Sequence, residues 1–309
     1  MKAVRYNQYG GVDVLRVEDV PSPSPGPGQA LVRVKAAGLN PGEAHTREGL
    51  MQAVYPVTFP TGQGHDLAGI VASVGEGVTE VAAGDEVIGW VDPLSSQAQY
   101  VVAEADHLIP KPAGVTWEAA GALASAGLTA WAAVRAVEPA AGDTVVVAGA
   151  AGGVGSIAVQ LAVRAGATVI GLASEYNHDW LTAHGVTPVT YGPGVADRIR
   201  AAAVYGRIDA FIDTQGADYV EIALDDLGVA PGRFNTIVRF DAVQTHGVKF
   251  EAYEAGVSSG AAVLAELADL IAAGDLEIPI AATYPLAEVH KAFDQLAGGH
   301  VRGKIVLVP

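Results

Sequence analysis

The sequence predicts an α/β domain inserted between two segments of a β-rich domain. Three observations predict it. The first third reads as short strands broken by turn residues, the middle alternates apolar strands with helices, and a strand pattern returns at the C-terminus. Strands that alternate with helices imply a parallel sheet covered on both faces.

In the first segment, residues 12–19 alternate, and residues 30–36 (ALVRVKA) have the period of two expected of a half-buried strand. Between them the run PSPSPGPG, residues 21–28, reads as a rigid loop joining two strands. Further strand-like runs cover 68–74, 86–90 and 100–103, set off by Gly75, Gly77 and Gly84-Asp85. The character changes near residue 117. Residues 117–134 are helical in composition, and 144–148 (TVVVA) form an apolar strand that ends in GAAGGVG. A helix follows with Val154, Ile157, Ala158, Leu161 and Ala165 on one face and Gly166 as its stop. Strand-like runs recur at 168–172, 208–212, 233–237 and 247–250. The chain closes with helices over 261–273 and 286–296 and a strand over 304–308.

Strand–GAAGGVG–helix–strand is the context in which a glycine motif indicates dinucleotide binding. Gly149 permits the tight turn, Gly152 and Gly153 let backbone approach a pyrophosphate, and Gly155 permits close packing of helix on sheet. Ala151, Gly152, Gly153 and Val154 then offer the uncapped N–H groups of a helix N-terminus to phosphate. At the end of the next strand an NAD site carries a carboxylate for the ribose diol. Here that position falls on Ala173 or Ser174, which leaves room for a 2′-phosphate that Ser174 and Asn177 can hydrogen-bond. Glu175 is adjacent and no Arg or Lys follows, yet NADP is preferred over NAD.

The 309 residues carry 18 Lys+Arg against 34 Asp+Glu, a net charge of −16, with 50% hydrophobic residues. So acidic a surface repels phosphodiester backbones and anionic lipids, and nucleic-acid or membrane binding is not expected. Zero cysteine excludes disulfides, thiolate catalysis and any zinc site built on Cys. The N-terminus has no apolar run of a signal peptide, and no stretch has the length to span a bilayer, so a cytoplasmic protein is expected.

GAAGGVG, together with Gly127-Leu128-Thr129-Ala130-Trp131 and Arg302-Gly303-Lys304-Ile305-Val306-Leu307, resembles the medium-chain dehydrogenase/reductase superfamily, in particular its zinc-free quinone oxidoreductase (zeta-crystallin-like) branch. Ala37-Gly38-Leu39-Asn40-Pro41, Gly64-His65-Asp66-Leu67-Ala68-Gly69, Val74-Gly75-Glu76-Gly77-Val78 and Ala83-Gly84-Asp85-Glu86-Val87 extend the resemblance over the whole chain. It implies a Rossmann doubly wound parallel sheet, residues 124–252, inserted in a GroES-like catalytic domain, residues 1–123 and 253–309, with the active site in the cleft between them. The zinc-dependent members carry a Cys-His pair where Asn40-Pro41 stands here, and one histidine, His65, without thiolates does not build that site. Without a Lewis acid, hydride transfer suits acceptors that delocalise charge themselves: quinones and α,β-unsaturated carbonyls.

Carried over residue by residue, the resemblance places Asn40 beside nicotinamide and substrate, where its amide could donate to a carbonyl oxygen. The family's Asp and Lys in this segment are replaced by Glu43 and His45. His45 is a candidate proton donor or a surface histidine, and Tyr55 a candidate cleft residue or a packing one. Thr129 matches a nicotinamide contact, Tyr191 the tyrosine beside the 2′-phosphate, and Arg239 the loop over the nicotinamide. Lys304 reads as an anchor of the terminal strand. The function so implied is a zinc-independent, NADPH-dependent reductase of a quinone or enone, in a homodimer. The alternatives are a tailoring enoyl reductase for one biosynthetic intermediate and a non-catalytic NADPH-binding protein.

Overall fold

A computed structural model describes residues 1–253 and 260–309; residues 254–259, within the second expected catalytic-domain segment, lie outside the described residues. The chain divides into two compact units, Met1–Ser125 with Ser259–Pro309, and Ala126–Ser258.

The first unit begins with β1 (Lys2–Tyr6), β2 (Arg16–Asp19), β3 (Gln29–Gly38), α1 (Pro41–Arg47), β4 (Thr61–Gly62), β5 (Asp66–Val74), β6 (Glu86–Trp90), β7 (Tyr100–Glu104), β8 (Leu108–Pro110) and α2 (Trp117–Gly121). Residues 12–14 form a turn of 3-10 helix rather than strand, because Val14 and Leu15 donate back to the carbonyls of Gly11 and Val12. The alternation in β3 buries Ala30, Val32 and Val34 against Leu67 and Val87.

The helix expected over 117–134 is two helices, α2 and α3 (Ala124–Val137). The break has a tertiary cause. The Asp66 carboxylate accepts the backbone N–H of Ser125 at 2.8 Å and so caps the first turn of α3. Gly121 at the end of α2 lies so close to β3 that a Cβ there would sit 2.5 Å from the Ala36 carbonyl oxygen.

The second unit continues with β9 (Thr144–Ala148), α4 (Gly153–Arg164), β10 (Thr168–Leu172), α5 (His178–Ala183), β11 (Val186–Val189), α6 (Val195–Ala202), β12 (Ala210–Asp213), α7 (Tyr219–Glu221), β13 (Phe234–Thr236) and α8 (Phe240–His246). Its sheet is wholly parallel in the order β11-β10-β9-β12-β13, a Rossmann-like sheet that reverses direction at β9. Val146, Ile170, Phe211 and Phe234 form its core, with the Phe211 and Phe234 rings stacked at 5.3 Å. The strand expected over 247–250 is a single bridge from Lys249 to Asn235, since the αL residue Gly247 ends α8 immediately before it.

The chain then returns to the first unit with α9 (Gly260–Ala273), β14 (Ile280–Pro285), α10 (Val289–Ala297) and β15 (Lys304–Val308). The main sheet of this unit runs β14-β15-β3-β5-β6-β8, with β7 also on β3; β1, β2 and β4 form a smaller sheet. Pairing of Val306 with Gly38 and of Leu307 with Ala37 sets the C-terminal strand beside the segment that carries Asn40. No helix is long and apolar enough to cross a membrane.

Candidate functional site

In the first unit the sequence motifs converge on a buried polar network. Asn40 is the N-cap residue of α1, which Pro41 starts. Glu43 and Arg47, one turn apart on α1, both point inward, 3% and 2% exposed. Asp66, at the start of β5, and Lys304, at the start of β15, are equally buried. The Asn40 Nδ2 donates to Glu43 Oε1 at 2.9 Å and to Asp66 Oδ2 at 3.1 Å, and its Oδ1 accepts from Lys304 Nζ. Lys304 Nζ also donates to the Leu39 carbonyl at 2.8 Å and lies 3.5 Å from Asp66 Oδ2. Asp66 Oδ1 takes the Ser125 N–H and hydroxyl.

Glu43 receives the backbone N–H of His65 on Oε1 and the amide of Gln97 on Oε2, each at 3.1 Å. Its donors are all neutral, whereas Asp66 has the ammonium. Burial pushes the Glu43 carboxyl up to about 7, helped by the nearby Asp66 charge and opposed by the Asn40 amide and Lys304. Burial also pushes the His65 imidazole down.

These contacts revise the role expected of Asn40. Both hydrogens of its amide are given to carboxylates, so donation to a substrate oxygen requires one of those bonds to be surrendered. His45 is exposed on the opposite face of α1 from Glu43 and Arg47. The Tyr55 hydroxyl donates to Asp92, and burial, then that contact, raises its pKa. The structure therefore brings neither residue into the network around Asn40. Sequence reading missed Glu43, Asp66 and Lys304 as partners of Asn40, and Gln97 as a partner of Glu43. The signal open to it was Glu43 and Arg47 at a spacing of four, which sets both on one face of a short helix. Among the described residues no group of three or more His, Cys, Asp or Glu could hold a metal ion.

In the second unit the glycine-rich turn lies at the C-terminal end of β9, where the strand order reverses and open α/β sheets bind their ligands. Gly149 has φ +71°, which a residue with a Cβ rarely adopts. A Cβ on Gly155 would fall 2.1 Å from the Gly149 carbonyl oxygen, so α4 packs on the turn only with glycine there. The N-cap residue Gly152 supplies no side-chain cap, which leaves the first amides of α4, after Ala151, to an external acceptor. The residues present thus fit a pyrophosphate.

At the end of β10, Asn177 is 6% exposed and its amide donates to Ser174 Oγ at 3.1 Å, which brings the two side chains together as one polar edge. Tyr191, beyond β11, is 41% exposed. Thr129 is buried on α3. Arg239 is paired internally: its guanidinium contacts Asp241 at 2.9 Å, Glu221 at 3.3 Å and the Ala217 carbonyl at 2.6 Å. Its charge is answered by two acids, so the role expected of it in the loop over the nicotinamide would have to displace them. Asp213, at the end of β12, is buried and accepts the Gln215 and Gly216 N–H groups and the Thr236 hydroxyl. This bonding fixes the loops that follow β12 and β13.

Comparison with known proteins agrees with this architecture. The alcohol dehydrogenase GroES-like domain family matches residues 26–138, and the zinc-binding dehydrogenase family matches residues 184–307. The chain is 31% identical to a quinone oxidoreductase of Pseudomonas aeruginosa, covering 100% of this chain and 99% of that protein. It is 29% identical to an NADPH-dependent alkenal/one oxidoreductase, chloroplastic, of Arabidopsis thaliana, covering 100% and 80%. The quinone oxidoreductase structure from Coxiella burnetii superposes with a TM-score of 0.86 at 31% identity, covering 100% and 99%.

Proposed function

The chain belongs to the medium-chain dehydrogenase/reductase superfamily, in the quinone oxidoreductase branch, and on that premise we propose that it is a zinc-independent, NADPH-dependent oxidoreductase that reduces a quinone or an α,β-unsaturated carbonyl. The observation that carries the reading is the uncapped N-terminus of α4 behind a turn that admits no Cβ at Gly155, in a chain collinear with a quinone oxidoreductase. Residues 124–252 serve as the nucleotide-binding domain, and 1–123 with 253–309 as the catalytic domain. We place the protein in the cytoplasm as a homodimer.

NADPH, when bound, supplies the hydride. The amides of Gly153 and Val154 would hold its pyrophosphate, the Gly152 N–H being given to the Gly149 carbonyl at 2.9 Å, and Ser174, Asn177 and Tyr191 would receive the 2′-phosphate. The acceptor gains negative charge on an oxygen, which Asn40 can meet when its amide is released from a carboxylate. A zinc ion at Asn40 and Asp66 would face the Lys304 ammonium, already in contact with both residues. The donor set thus supports a zinc-free site.

The test is loss of NADPH absorbance with a small quinone and a medium-length 2-enone, side by side, with NADH as control. Turnover of either acceptor with NADPH supports the reading. Binding of NADPH with no turnover of any quinone, enal or enone refutes it.

A further inference from the structure

Glu43 and Asp66 grip the same amide, that of Asn40, yet the two carboxyls are held differently. Asp66 has the Lys304 ammonium at 3.5 Å and two donors from Ser125. Glu43 has only neutral donors: Asn40, the His65 backbone N–H and Gln97. One cation sits among two buried carboxyls, and the charge left over falls on Glu43. A second observation bears on the same carboxyl. Gln97 is wholly buried and its Oε1 has no hydrogen-bond partner, although its amide donates to Glu43 Oε2. An orphan buried carbonyl is costly, and turning the Gln97 amide over presents that oxygen to Glu43, where a protonated carboxyl would donate to it.

We propose that Glu43 is a positioning residue that controls Asn40. Ionised, it holds the Asn40 amide inward; protonated, it donates to the Gln97 carbonyl and releases that amide toward the oxygen of the bound acceptor. The mechanism follows from the strength of charge-assisted bonds, roughly twice that of neutral ones: a neutral Glu43 Oε1 grips the amide less firmly. The proton itself stays on Glu43, and the proton that completes reduction of the acceptor comes from water. The inference rests on the reductase reading for its consequence in turnover, though not for the switch itself.

The charged and titratable groups that face Glu43 are Asp66 on β5, Lys304 on β15, His65 just before β5, Tyr6 on β1 and Arg47 on its own helix. None of them offers a second cation at contact distance. The carboxyl, raised to about 7, accordingly changes state near neutral pH.

The experiment follows two readouts in the wild type and Glu43→Gln, which mimics the protonated residue. The first is the side-chain amide resonance of Asn40 in protein labelled with nitrogen-15 at asparagine, titrated from acid to alkaline pH. The second is the pH profile of kcat/KM with NADPH and whichever acceptor turns over. The expected result is an Asn40 amide shift with a midpoint near neutrality. With it, kcat/KM should fall about tenfold per pH unit above that midpoint, both effects being absent in Glu43→Gln. If Glu43→Gln does not fold, Gln97→Leu serves instead: it removes the donor that steadies the ionised carboxylate, a charge-assisted bond stronger than the neutral one lost from the protonated form, and must raise the midpoint. An Asn40 amide that ignores pH, or that titrates unchanged in the variant, overturns the switch. Turnover with a profile identical in wild type and variant overturns the control of Asn40 by Glu43. Titration of the amide with no turnover of any acceptor refutes the reductase reading and leaves the switch standing.

Discussion

Replacing Glu43 by glutamine should make the protein more stable in alkaline solution, and the size of the gain follows from the burial of one carboxyl. Glu43 is completely enclosed, and its pKa moves from 4.5 to about 7 on folding. A group whose folded pKa is raised contributes stability that is fully present below the unfolded value and lost as pH rises through the folded one. For Glu43 that window runs from about 4.5 to about 7, across which the folded chain retains a proton that the unfolded chain has released. The total is about 3 kcal/mol, most of which falls between pH 5 and pH 8. Glutamine preserves the shape and the acceptor for Asn40 and His65 but never ionises. The assay is urea unfolding of both proteins at a series of pH values, read as the difference between them, so that every other titrating group cancels. The variant should gain about 2–3 kcal/mol on the wild type from pH 5 to pH 8. A difference that stays flat within about 1 kcal/mol, or that moves the other way, would show that Glu43 is already ionised at low pH and that burial does not govern it.

Lys304→Met should cost about 3–5 kcal/mol in unfolding experiments at neutral pH, because it strands Asp66 without its cation; a cost below about 1 kcal/mol would mean the ammonium is not the partner that stabilises the network. Gly155→Ala places a Cβ 2.1 Å from the Gly149 carbonyl oxygen and must push α4 off the turn. It should destabilise by about 1–3 kcal/mol and weaken NADPH binding in a fluorescence titration, and wild-type binding would refute the phosphate site. Ser174→Asp puts a carboxylate where we place the 2′-phosphate, and the ratio of kcat/KM for NADPH over NADH should fall at least about tenfold. An unchanged ratio would place the adenosine ribose elsewhere.

The parts of the fold that were legible were those whose cause is local. Strands at 86–90, 144–148, 168–172 and 304–308 match the sequence reading to the residue, because each is an apolar run ended by glycine, proline or a charged turn. The strands Val186–Val189 and Ile280–Pro285 are absent from the sequence reading, and each contains a proline, which weakens a strand signal. Both are edge strands, where a missing N–H can face away from the ladder. The break between α2 and α3 was not legible, since its cause is a carboxylate 59 residues away.

The site divides in the same way. The glycine turn is a local device, each glycine serving a contact a few residues off, and the structure gives Gly149 and Gly155 the roles their spacing implies. Asn40 is a different case. Its identity could be read, but what its amide does depends on Asp66, 26 residues on, and on Lys304, 264 residues on, delivered by the register of β15 on β3. An asparagine in isolation is a donor available to a substrate. Flanked by two carboxylates it is a donor already committed, and the side chain that sets its availability is the one whose proton is easiest to move. Glu43, which in the sequence reads as a conservative exchange for aspartate, is longer by one methylene. That length carries its carboxyl to Gln97 on one side and Asn40 on the other, where burial raises its pKa. Shortening it again tests the argument: Glu43→Asp should lose one of those two contacts, and with it the near-neutral midpoint of the Asn40 amide resonance. A midpoint left in place would mean that enclosure alone, and not reach, sets the proton on this residue.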